Sequence, residues 1–135
     1  MATDIDALAQ SSRSVQNKSG EQSLWKAVMG LRVWYFVAQG QGDEAEPMVA
    51  QVDGRPQLLA FTEEERAEAF ARHLQSRRGG AMPGVLEMDV PDAVEYAKEL
   101  ESLDVESVLF NTGEYAFAGS PTRLRDLYSR YGARG

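Results

Sequence analysis

The sequence predicts a single α+β domain, with a mixed β-sheet of five or six strands, a βαβ unit and three or four helices. Segments rich in β-branched and aromatic residues alternate with segments whose apolar residues recur every three or four positions. A strand, a helix and a second strand follow one another over residues 85–110, and the connection is long enough to set the two strands parallel. The length of 135 residues is that of one domain.

The N-terminal segment differs from the rest of the chain. Residues 1–18 hold few apolar side chains, too few to offset the ordering of the backbone, so we expect a flexible tail there and a single domain over 19–135. Ser19 and Gln22 have the spacing of a capping box and predict a helix near 20–29. Residues 32–38 are apolar on both alternating faces, which is typical of a central strand.

A hairpin and a helix are predicted next. Residues 48–52 and 57–61 flank Asp53-Gly54, a pair that favours a tight β-turn. Thr62 and Glu65 have the spacing of a second capping box and predict that a helix begins there and ends near 77–80. Its apolar stripe consists of Ala67, Phe70, Ala71 and Leu74.

The strand–helix–strand segment starts with residues 85–90, whose alternation predicts a half-buried strand. Pro91 and Asp92 fit the first turn of a helix. Its apolar face is expected to contain Val94, Ala97 and either Leu100 or Leu103.

The C-terminal part is predicted to hold two more strands and a helix. Residues 105–110 resume strand character, and a tight turn over 111–114 leads into an antiparallel strand at 115–118. Ser120 as N-cap and Pro121 in the first turn open the last helix. Its apolar face is formed by Leu124, Leu127, Tyr128 and Tyr131, and Gly132 ends it.

The composition excludes several classes of protein. The chain has no Cys, which rules out disulfides, thiol nucleophiles and iron–sulfur clusters built from its own residues. Its net charge of −7 disfavours nucleic acid and anionic membranes as partners. The N-terminus carries Asp4 and Asp6 where a secretory signal would carry basic residues, and no apolar run could span a membrane. We expect a cytoplasmic protein without a cofactor.

Three motifs contain residue types that could form a chemical site. Gly40, Gly42 and Ala45 match a dinucleotide-binding pattern, but the acids around them would repel phosphate, which favours a plain loop. These acids, Asp43, Glu44 and Glu46, are the one candidate set for a hard cation, without EF-hand spacing.

The second and third motifs concern acid–base catalysis. Asn111-Thr112-Gly113 differs by one residue from the Asp-Thr-Gly corner of aspartic peptidases, and because Asn111 cannot ionise we interpret this segment as a turn. His73 is the single histidine. It is interpreted as a solvated residue, with a general base as the alternative.

Charge is distributed unevenly along the chain. Residues 87–106 contain eight acids and the single base Lys98, a local charge of −7, whereas the C-terminal helix carries about +3, so we expect an electrically bipolar molecule. These segments are either solvated helix faces or surfaces that recognise a charged partner. The candidate interaction residues are Glu95, Glu99 and Glu101, then Arg123, Arg125 and Arg130.

A basic, glycine-rich loop over 77–84 adds Arg77 and Arg78 to these candidates. It is interpreted as a helix end and a connection. An anion site or a mobile lid is the alternative hypothesis.

Two segments resemble a known family. Leu58-Leu59-Ala60-Phe61-Thr62 before an acidic helix, and Leu-Asp-Val-Glu-Ser-Val-Leu-Phe-Asn-Thr-Gly over 103–113, resemble the N-terminal domain of the SseB-like family, named for enhanced serine sensitivity. The resemblance covers roughly 24–131. Family members often have Asn-Pro-Gly where this chain has Asn111-Thr112-Gly113. The resemblance implies an α+β domain and supplies no catalytic residues.

The sequence therefore leads us to expect a non-catalytic interaction module that binds a protein partner or a second copy of itself. Two alternatives stay open. One is a small hydrolase or transferase that uses carboxylates and the 77–84 loop. The other is an acidic immunity or decoy protein that binds a basic protein.

Overall fold

The computed structural model describes residues 5–12, 18–40, 42–113 and 116–132. The helices are α1 (Ile5–Ser12), α2 (Lys18–Met29), α3 (Glu64–Arg78), α4 (Val90–Glu101) and α5 (Pro121–Tyr131), with a 3-10 turn at Gly42–Glu44. The strands are β1 (Val33–Gln39), β2 (Glu46–Pro47), β3 (Val49–Val52), β4 (Arg55–Ala60), β5 (Val85–Asp89), β6 (Ser107–Phe110) and β7 (Phe117–Gly119).

These elements confirm the α+β class. The described residues form seven strands and five helices, more than predicted. The additional elements are the helix α1 and the strand β2, which has only two residues and so little sequence pattern to recognise. The strand predicted at 115–118 is β7, which pairs antiparallel with β6 as predicted.

The strands form two sheets, not the predicted single mixed sheet, and an antiparallel bridge joins them. One sheet has the order β2-β1-β5 with β1 in the centre, as predicted, and the other has the order β3-β4-β6-β7. Tyr35 of β1 and Phe61, which follows β4, exchange two backbone hydrogen bonds of 2.8 Å. This antiparallel bridge aligns the two sheets.

The two strands of the predicted βαβ unit are not neighbours in one sheet. The chain order β5, α4, β6 is as predicted, but β5 pairs with β1 and β6 pairs in parallel with β4. Because β1 is antiparallel both to β5 and to the end of β4, the strands β5, β4 and β6 all run in one direction. Hydrophobic alternation fixes which face of a strand is buried, but not which strand lies beside it.

The predicted hairpin is confirmed. β3 and β4 pair antiparallel around the two-residue turn, with Val52 opposite Arg55. Asp53 and Gly54 both have positive φ, at 54° and 80°. This conformation matches the right-handed twist of the flanking strands.

Two hydrophobic cores lie on the two faces of the sheets. The larger core contains buried residues from α1, α2, α4 and α5, and the smaller one contains Ala67 and Ala71 of α3. In the larger core, the Phe110 ring contacts Trp25 and Trp34 edge-on and stacks on Phe117. Such aromatic packing adds to the stabilisation from area burial alone.

The N-terminal segment corrects the prediction of a flexible tail over 1–18. Within the described part, Ile5–Ser12 is the helix α1, which packs against α2 and buries Ala9 in the larger core. Asp6 also forms an ion pair with Arg66 of α3. Arg66 is 60 residues from Asp6 in the sequence, and the larger core is built from several distant segments, so the local composition of 1–18 could not reveal these contacts.

The predicted capping box of α3 is absent. The helix begins at Glu64, and its N-cap residue Glu63 makes no side-chain capping hydrogen bond. Thr62 is buried instead, and its hydroxyl accepts a hydrogen bond from Asn111.

Two other helix ends are clear. Ser120 caps α5 as predicted, accepting from the Arg123 N–H at 3.1 Å. At the end of α4 the apolar face includes Leu100 and not Leu103, whose exposed fraction is 70%. Asp104, at a φ of 74°, turns the chain there.

Candidate functional site

The ends of the parallel strands β4 and β6 meet in a buried polar pair. The Asn111 Oδ1 accepts from the Thr62 N–H, and the Asn111 Nδ2 donates to the Thr62 hydroxyl, both at 3.0 Å. The Asn111 N–H also donates to the Ala60 carbonyl at 2.9 Å. The Phe61-Thr62 and Phe110-Asn111 segments are therefore in direct contact through Thr62 and Asn111.

The chemistry of Asn111 at this position is structural. Its amide both donates and accepts, and a carboxylate could only accept. Asn111 adopts a φ of 51°, a left-handed conformation that Asn tolerates better than most residues. The interpretation of this segment as a turn is thus supported by a specific role for its Asn.

A charged cluster lies beside this pair. The Arg66 Nε donates to Glu63 at 2.8 Å, and its Nη2 binds Asp6. Burial disfavours the charged guanidinium, but the hydrogen bonds to Glu63 and Asp6 outweigh it and raise the pKa of Arg66 above its ordinary value. Sequence analysis missed this cluster, because Asp6 and Arg66 are 60 residues apart.

Two cavities open beside this cluster. A groove of about 940 Å³ is lined by Ile5, Leu8 and Lys26 as well as Asp6 and Glu63. A smaller cavity of about 270 Å³ is lined by Phe61, Arg66, Phe70, Asn111 and Thr112. The carboxyl ends of parallel strands are a frequent location for ligands in α/β sheets, but here the polar groups already bind one another.

The predicted acidic and basic segments lie side by side. α4 packs against α5, and the Glu95 Oε2 lies 3.5 Å from the Arg125 Nε. Arg123 reaches α2 and binds Glu21 at 2.7 Å. The acidic α4 and the basic α5 therefore border one another, with one exposed ion pair across the seam between them.

Glu101 lies at the end of this seam. It accepts from Lys98 at 2.8 Å and from the Thr122 hydroxyl at 3.0 Å. The Lys98 hydrogen bond, followed by the Thr122 bond, lowers the pKa of the Glu101 carboxyl below its ordinary value.

Half of the acidic segment is neutralised by bases from elsewhere in the chain. The paired acids are Glu87 with Arg32, Glu95 with Arg125, Glu101 with Lys98 and Glu106 with Arg55. Among the described residues, the acids of this segment without an ion pair are Asp89, Asp92, Glu99 and Asp104. Arg130 on α5 is exposed and also has no ion pair within the described ranges.

The loop after α3 forms one wall of a third cavity, of about 640 Å³. Arg78 lines this cavity, whereas Arg77 does not. Gly79 donates to the Gln75 carbonyl at 2.7 Å, and the Ala38 N–H donates to the Gly84 carbonyl at 2.8 Å. The loop is thus attached to the fold near both of its ends.

The remaining candidates are separate and exposed. His73 lies on the solvent side of α3, and Asp43, Glu44 and Glu46 are exposed around the 3-10 turn. Among the residues that the structure describes, no group of three or more His, Asp or Glu side chains could hold a metal ion. Nor does this part of the chain contain a helix long and apolar enough to cross a membrane.

Comparisons with known proteins add no assignment: no protein-family model matches the chain, and no curated protein matches it.

Proposed function

We propose that this protein is a non-catalytic cytoplasmic interaction module of the SseB-like type, which binds a basic protein through α4. The observation that carries the proposal is the row of carboxylates on the solvent side of this helix, Asp92, Glu95 and Glu99, hereafter the α4 surface. All three residues are exposed, and their spacing of three and four positions places them along one helix face.

The unpaired negative charge of the α4 surface favours a basic partner. Asp92 and Glu99 have no ion pair with any described residue, and the Glu95–Arg125 pair is exposed on both sides. An exposed pair at 3.5 Å contributes little free energy, so an arginine of a partner can replace Arg125. The α4 surface therefore offers three carboxylates to incoming cations.

The neighbouring helix supports a defined orientation of the partner. Arg125 and Arg130 lie on α5, which packs against α4. A partner whose basic surface borders an acidic one would match this arrangement, and a wrongly oriented partner would place like charges together. Charge complementarity of this kind contributes specificity and a fast association rate.

Affinity capture tests the proposal. The full chain and its Asp92→Asn/Glu99→Gln variant serve as baits in a lysate of the source organism at low and high salt, and captured proteins are purified and bound again to each bait. We expect a basic partner that binds the variant about tenfold more weakly and that dissociates at high salt.

A matched control removes the same number of charges elsewhere. The Glu64→Gln/Glu65→Gln variant changes two exposed acids at the start of α3 and is expected to bind the partner like the unmodified chain. Equal binding by all three baits would contradict the role of α4. If native mass measurement shows a dimer that only the α4 variant disrupts, the partner is a second copy of the chain.

A further inference from the structure

The cavity beside the 79–84 loop has a lining that is about equally polar and apolar. It lies between the C-terminal end of α3, the end of β1 and the start of β5. The larger apolar residues that line it are Met48, Leu74, Met82, Pro83 and Leu86. Its volume of about 640 Å³ is in the range of cavities that bind small molecules.

One charge faces this cavity. Arg78 is the single charged side chain among the described residues that line it, and it has no ion pair within the described ranges. Gln39 and Gln75 are also part of the lining and carry amide groups. The acids of the nearby 3-10 turn, Asp43 and Glu44, do not line the cavity.

Met82 provides a second observation at the same place. It is one of two large apolar side chains that are exposed in the described chain, with an exposed fraction of 42%. It belongs to the cavity wall, so a ligand with an apolar chain would remove both Met82 and part of itself from water. Each buried methylene group of such a ligand contributes to binding.

Hydrogen bonds attach the wall that carries Met82 at both of its ends. The Gln75 Nε2 donates to the Gly80 carbonyl at 3.1 Å, in addition to the backbone bonds of Gly79 and Gly84. A cavity whose wall is already attached costs less conformational entropy on binding.

We propose that this cavity binds a small carboxylate with an apolar chain, and that Arg78 binds the carboxylate while Met48, Leu74 and Met82 contact the chain. A guanidinium binds a carboxylate through two parallel hydrogen bonds. Apolar side chains beside a single cation match one anionic head on an apolar body. The proposal is independent of the α4 surface.

Methionine methyl groups report such binding directly. The chain labelled with ¹³C at the methionine methyl groups is titrated with octanoate and followed by NMR. We expect the Met48 and Met82 signals to shift, while Met29 and Met88, which do not line the cavity, stay unchanged. Octanol, which lacks the carboxylate, is expected to bind about tenfold more weakly.

Two arginines of the same helix provide matched variants. Arg78→Gln is expected to weaken octanoate binding about tenfold, whereas Arg77→Gln, one residue away and outside the cavity, leaves it unchanged. Equal thermal midpoints show that both variants are folded. The proposal is overturned if octanoate shifts neither Met48 nor Met82, if octanol binds equally well, or if both variants lose binding equally. Tighter binding of a peptide that ends in leucine would overturn the small-molecule assignment.

Discussion

Asn111 and Thr62, 49 residues apart, satisfy each other's polar groups through two hydrogen bonds of 3.0 Å at the ends of two parallel strands. Both residues are buried. The pair joins β6 to the residue that precedes the start of α3. The Thr62 hydroxyl is thus engaged with Asn111, and α3 begins at Glu64 without a side-chain capping hydrogen bond.

Replacing Asn111 should destabilise the fold strongly. Asn111→Ala leaves the Thr62 N–H and hydroxyl buried without partners, and we expect a loss of about 2–4 kcal/mol in the free energy of unfolding. Urea denaturation measures this loss. Thr112→Ala, which removes a half-buried side chain next to it, should cost about 0.5 kcal/mol or less. Similar values for both variants would show that the pair has no special role.

Phe70 and Phe110 should contribute different amounts to the free energy of unfolding. Phe70 belongs to the predicted apolar stripe of α3 but is only partly buried, whereas Phe110 of β6 is fully buried. We expect Phe110→Ala to cost about 3–5 kcal/mol and Phe70→Ala about 1–2 kcal/mol. Urea denaturation of the two variants compares them, and an equal or reversed order would contradict the assignment of the two cores.

The docking of α1 can be tested with neighbouring residues. Ala9→Glu introduces a charge at a site that is 1% exposed, so we expect a loss of about 1–3 kcal/mol. Gln10→Glu adds the same charge at an exposed position and should be nearly neutral. If thermal unfolding shows no difference between the two variants, residues 5–12 do not pack on the domain.

The acidity of Glu101 should depend on Lys98. Lys98→Met is expected to raise the pKa of Glu101 towards its ordinary value of 4.5, and Thr122→Val to raise it less. Since the pKa in the folded state is lowered, ionised Glu101 stabilises the fold above pH 4.5, and this contribution is lost as the pH falls through the lowered pKa. A ¹³C NMR titration of the carboxyl group measures the change.

Lys26→Met removes an exposed lysine on α2 and serves as the control for this titration. It should leave the Glu101 curve unchanged. An unchanged curve in Lys98→Met would mean that the hydrogen bond is absent in solution.

Features encoded within a few residues could be predicted from the sequence. The Asp53-Gly54 turn, the Ser120 cap of α5 and the apolar stripe of α3 depend on local conformation and periodicity, and the structure contains all three. Glu95 and Glu99 of the α4 surface are candidates from the sequence because their charges are close in the chain, whereas Asp92 joins them through its exposed position on the same helix.

Features that depend on residues distant in the chain could not be predicted from the sequence. The hydroxyl of Thr62 has the right spacing for a cap, but Asn111 binds it. The composition of 1–18 suggests a tail, but Arg66 holds Asp6 and the larger core accepts Ala9. The Arg125–Glu95 pair likewise reduces the free charge of α4 through a contact between two helices.

Hydrogen–deuterium exchange of the chain, alone and bound to the partner that affinity capture yields, tests the role of α4 most directly. We expect the backbone of 90–101 to exchange more slowly in the complex, while 64–78 on the opposite side of the sheets is unchanged. Slower exchange confined to 64–78, with 90–101 unaffected, would contradict an interaction module that binds its partner through α4.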